Sequence, residues 1–62
     1  MTPEQSSTTE KMTSVKADCV EATAGPKKDR AMKHYHAAEK AHEAKNYAET
    51  SKELDAARQA LS

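Results

Sequence analysis

The stretch YAETSKELDAARQAL, from Tyr47 to Leu61, carries the clearest pattern in the chain. Tyr47, Thr50, Leu54, Ala57 and Leu61 step by three, four, three and four, which holds them on one face of a helix for four turns. Glu49, Lys52, Asp55 and Gln59 are turned away from that seam. A helix with one apolar face needs something to lie against, and the preceding segment supplies it. From Pro26 to about Lys45 the chain is mostly Ala, Lys, Glu and His with no further Gly or Pro, a composition that favours an unbroken helix of about five turns. Asn46 alone separates the two patterns and suits either the end of one helix or the cap of the next. A link that short makes the helices antiparallel neighbours.

On the wheel of the earlier helix, Ala31, Tyr35, Ala38 and Ala41 share a side with His34, His42 and Lys45, while Lys33, His36, Glu39, Lys40 and Glu43 lie opposite or flank it. The expected buried side is therefore alanine, one tyrosine and two histidines. Tyr35 and Tyr47 read as aromatic filling between alanine-rich helices rather than as a base-stacking platform.

Upstream, Ala24-Gly25-Pro26 is the strongest punctuation. Glycine suits the left-handed position after a helix, and proline suits the first turn of the next. Before it, Ser7 and Glu10 have capping-box spacing, and Thr8, Met12, Val15, Cys19 and Ala22 form a narrow stripe, so a weaker first helix is expected from about Thr8 to Thr23. Its Val, Thr and Cys content lowers helix propensity and makes it dependent on docking. Residues 1–7 are polar and read as a disordered tail, leaving 8–62 as one small helical domain. The expected fold is all-α: a hairpin of helices at about 26–45 and 47–61, with a weaker helix at about 8–23 completing a small three-helix arrangement.

Composition narrows the function classes. With 62 residues, no Phe, Trp or Ile, and an apolar 35% made largely of alanine, any core is small. Ten basic residues balance ten acidic ones, so no long-range field draws in nucleic acid or an anionic membrane. The basic cluster Lys27, Lys28, Arg30 and Lys33 is too short to alter that reading. No segment has the apolar length of a signal-peptide core or a membrane span. Cytoplasmic residence is the default expectation, and an exported form whose signal has been removed stays open. One cysteine allows no internal disulfide.

The stretch Ala31 to Ser62 resembles a single tetratricopeptide-type helical hairpin. Ala38 stands where that repeat needs a small residue, Asn46-Tyr47 matches its turn and first aromatic, and Leu54 and Ala57 match the large and small positions that follow. Ala41, Thr50 and His34 depart from the pattern, and the terminal proline is missing. The resemblance implies a stacking, protein-binding unit, although one repeat cannot form the family's concave groove alone. The phrase from His34 to His42, followed by Lys52 to Ala57, also resembles small bacterial helical proteins without an assigned activity, some of them exported.

Chemistry-bearing residues are few. His36, Glu39, His42 and Glu43 include the Glu-x-x-His spacing of carboxylate-bridged metal bundles, but His42 faces the alanine stripe while Glu39 lies about 60° round toward solvent. His34 and His42 on the buried side offer a proton-sensitive interface, in which charging an imidazole would weaken packing; the blander reading makes them rim residues whose rings cover alanine. Cys19 reads as a small buried hydrophobe, its thiol pKa raised by Asp18 and Glu21 and weakly opposed by Lys16; an intermolecular disulfide is the alternative. No nucleophile elbow, phosphate loop or carboxylate pair accompanies the many Ser and Thr residues. The chain thus reads as a non-enzymatic interaction module with no cofactor, no nucleic acid and no membrane, partnered by itself or another helical protein. Its interaction seam is Tyr47, Thr50, Leu54, Ala57 and Leu61 with Tyr35 and Ala38 opposite. The alternative is a metal- or pH-responsive bundle using the His and Glu residues of the second helix.

Overall fold

The computed structural model describes residues 3–62, with side chains from Ser6 onward. It contains helices α1 (Pro3–Glu21), α2 (Pro26–Glu43) and α3 (Tyr47–Leu61), with no strand among the described residues. Side-chain bonds give the helix directions. His34 meets Glu53 and Lys27 reaches the Ser62 carbonyl, so α2 and α3 are antiparallel. Lys11 meets Ser51 and Asp55 while Asp18 faces Arg58, so α1 runs parallel to α3. The product is an elongated three-helix bundle measuring 35 × 16 × 15 Å.

The hairpin has the expected arrangement, with α3 spanning the anticipated residues and α2 ending at Glu43 rather than near Lys45. Its turn is built from backbone geometry. The Asn46 N–H donates to the Ala41 carbonyl and the Lys45 N–H to the His42 carbonyl, both at 2.9 Å, with Lys45 left-handed at φ 62°. These two bonds form a Schellman ending for α2. Asn46 then serves the next helix as well, its side-chain oxygen accepting from the Glu49 N–H at 3.3 Å. One residue closes α2 and caps α3.

The first helix differs from expectation at both ends. It begins at Pro3 rather than near Thr8 and ends at Glu21 rather than Thr23, so residues 3–7, read from sequence as tail, belong to it. Met1 and Thr2 lie outside the described residues. Pro3 is a suitable first residue, because its fixed φ fits the first turn of a helix. Ser7 is therefore inside the helix and is not a cap. Gly25 also has a different role: it is the N-cap of α2, ahead of Pro26, at a positive φ of 156° and ψ of −175° that suit glycine, rather than the residue ending α1.

Val15, Cys19, Ala31, Ala38, Leu54 and Ala57 form the core, each at most 1% exposed, and Met12, Met32, Tyr35, Ala60 and Leu61 pack around it. Each helix contributes two of the six. Alanines on α2 and α3 let those helices approach closely, while Val15 and Cys19 of α1 cap the line of contact. Thr50 is fully buried, its hydroxyl satisfied by donating to the Asn46 carbonyl at 2.8 Å. Among the described residues no buried side-chain polar atom lacks a partner.

Candidate functional site

The seam read from sequence lies inside the bundle. Thr50, Leu54, Ala57 and Ala38 are fully buried, and Tyr35, Tyr47 and Leu61 are half-buried. A free apolar surface for an outside helix is not what these residues present, because α1 already lies on them. The stripe expected on α1 does face inward: Thr8, Val15 and Cys19 are buried and Met12 is half-buried. What the hairpin wants, namely a helix over its seam, is supplied within the chain.

The bonds that dock α1 were only partly legible. Lys11 forms a 2.6 Å ion pair with Asp55 and donates to Ser51 Oγ at 3.2 Å, and Asp18 lies 3.9 Å from Arg58. Asp55, expected on the face turned away from the seam, sits on the flank beside α1. Lys11 is one turn before Val15 and Asp18 one turn after it, so a charged margin along the apolar stripe was the available signal. Partly exposed pairs of this kind each contribute only about 0–1 kcal/mol and act mainly to set alignment.

The metal candidates do not assemble. His36 pairs with Glu39 one turn along its own helix, Nδ1 to Oε1 3.1 Å, on the exposed side. His42 points elsewhere, with Nε2 3.5 Å from Thr9 Oγ1 and its ring edge-on to Tyr47 at 5.6 Å between centroids. Glu43 is exposed. Among the described residues no group of three or more His, Cys, Asp or Glu side chains converges as a metal site would require.

His34 crosses the outer flank of the hairpin, Nδ1 3.2 Å from Glu53 Oε1. Its ring nitrogen therefore lies beside a carboxylate of the neighbouring helix. Cys19 is buried, which keeps it from pairing with another chain while α1 is docked. Burial pushes its thiol above the ordinary 9.0, Asp18 adds to the rise, and Lys28 rather than Lys16 opposes it. Such a thiol is a poor nucleophile at neutral pH.

At the end of the bundle where α1 and α3 finish and α2 starts, Asp18, Glu21, Lys27, Arg58 and Leu61 border an open groove of about 590 Å³. Its charges are of both signs, and two are already engaged with one another across the α1–α3 contact. No described helix is long and apolar enough to cross a membrane. No family model, curated protein or solved structure matches the chain.

Proposed function

We propose that this chain is a non-enzymatic helical interaction module whose α2–α3 hairpin receives a helix on the Tyr47–Leu61 seam, with α1 as its resident occupant. One observation carries the reading: α1 touches α2 and α3 more sparsely than those two helices touch each other. It meets them along one narrow row: among its described side chains Thr8, Val15 and Cys19 are buried and Met12 is half-buried. The hairpin has its own closure through the Schellman turn, the Asn46 cap and the packed alanines. An element held by sparser contacts opens locally more readily than the pair it covers.

The buried Ala38 and Ala57 and the Asn46-Tyr47 turn support a tetratricopeptide-like reading of the hairpin, again as a proposal. Helix-in-groove recognition needs an amphipathic helix with anchors at helical spacing, and α1 exemplifies the pattern.

The test uses the full chain and a synthetic peptide of residues 3–21 carrying Cys19→Ala. Titration of the peptide should make Cys19 of the full chain reactive toward an alkylating reagent and shift the amide resonances of Thr50, Leu54 and Ala57. Unchanged resonances and unchanged alkylation at millimolar peptide would refute the reading.

A further inference from the structure

We infer that the acceptor seam takes the α1 of a second copy of this chain, by reciprocal exchange of N-terminal helices. The inference rests on the reading of the hairpin as a helix acceptor and names its partner. The chemistry of the occupant is written in the contacts of α1. An inward row of Thr8, Val15 and Cys19 is flanked by a cation, Lys11, seated on Asp55 and Ser51, and by an anion, Asp18, facing Arg58. Basic then acidic along α1 faces acidic then basic along α3. The opposite orientation would set Lys11 toward Arg58 and Asp18 toward Asp55, so the charges select a parallel helix in one register. Every copy of the chain carries that helix, and copies with zero net charge do not repel one another.

The link that must open is poorly anchored. Residues 22–25 engage the backbone at their two ends, where the Ala22 N–H donates to Cys19 and the Gly25 carbonyl accepts from Asp29. Nothing lies within 4 Å of where a Cβ on Gly25 would stand. Swinging α1 outward therefore sacrifices no packing at Gly25, while Pro26 keeps the start of α2 in place. Once α1 is out, Val15 and Cys19 on one side and Leu54 and Ala57 on the other are bare, and a second copy restores both surfaces with the same contacts.

The experiment mixes two full-length variants, Lys11→Cys with Cys19→Ala and Asp55→Cys with Cys19→Ala, and treats them with a short flexible bis-maleimide at low and high protein concentration, a linker that spans the reach of the Lys11–Asp55 ion pair where a direct disulfide would need closer backbones. Exchange predicts an 11–55 cross-link between chains that increases with concentration and exceeds severalfold that of a control pair in which Lys52→Cys, on the exposed outer face, replaces Asp55→Cys. Both substitutions placed in one chain at high dilution should give the intrachain cross-link. Sedimentation of the unmodified chain is an independent measure, with a dimer fraction that grows with concentration. Pairing no greater than the control, or a monomer at every concentration, overturns the inference. If peptide 3–21 still exposes Cys19 in that case, exchange alone has failed; if it does not, the acceptor reading falls too.

Discussion

Lys45 sits at φ 62°, where a side chain is disfavoured and glycine is at ease, yet it is the hinge of the α2–α3 turn. Replacing it with glycine relieves that conformation without touching the core, so Lys45→Gly should raise stability by about 0.5–1 kcal/mol in urea unfolding. Asn46 gives the opposite result: Asn46→Ala removes the acceptor for the Glu49 N–H and should cost about 1 kcal/mol. Alkali acts through one buried acid, Cys19, and one half-buried acid, Tyr35. Burial raises Cys19 above its ordinary 9.0 and Tyr35 above 10.0, with Asp18 and Glu39 respectively adding to the rise. The unfolded chain therefore loses these protons first. Their contribution is complete below about pH 9 and falls away as pH rises through the folded values, so the melting temperature should decline above that point. Cys19→Ala should flatten the first part of the decline.

Ala38 tests the hairpin as an element. Its methyl group is fully buried between closely packed helices, and Ala38→Leu should cost about 1–3 kcal/mol by overpacking, visible as a lowered midpoint with α2 and α3 splayed. The hairpin was legible in sequence because each local signal agreed: the periodic row from Tyr47, small residues opposite, and Asn46 between them. The covering of the seam was less legible. Thr8, Met12, Val15 and Cys19 announced an inward stripe, but helical periodicity says nothing about what a stripe docks against, so the same seam was equally open to a foreign helix. Gly25 misled for a related reason. Glycine before proline marks a break, yet only the backbone distinguishes a residue that ends one helix from one that starts the next, and here Gly25 starts α2. The cross-helix pair of His34 was not legible, because its partner Glu53 comes from the neighbouring helix and has no sequence-local signature.

For the molecule as a whole, a core of six sealed residues, three of them alanine, makes the bundle dependent on its one large aliphatic centre. Leu54→Ala should cost about 2–5 kcal/mol, comparable with the whole stability of a domain this small, and leave the chain largely unfolded by circular dichroism. Above that threshold the three helices differ in how firmly they are held. The hairpin is closed by its own turn and the Asn46 cap, and α1 is tied to α3 by Lys11 and Asp18 and sealed by Val15 and Cys19. Native-state hydrogen exchange of the full chain, followed amide by amide in low denaturant, tests this division most directly. The amides of α1 should open together with a free energy well below that of α2 and α3, and Val15→Ala should widen the gap. Equal protection in all three helices, converging on one global unfolding event, would contradict it.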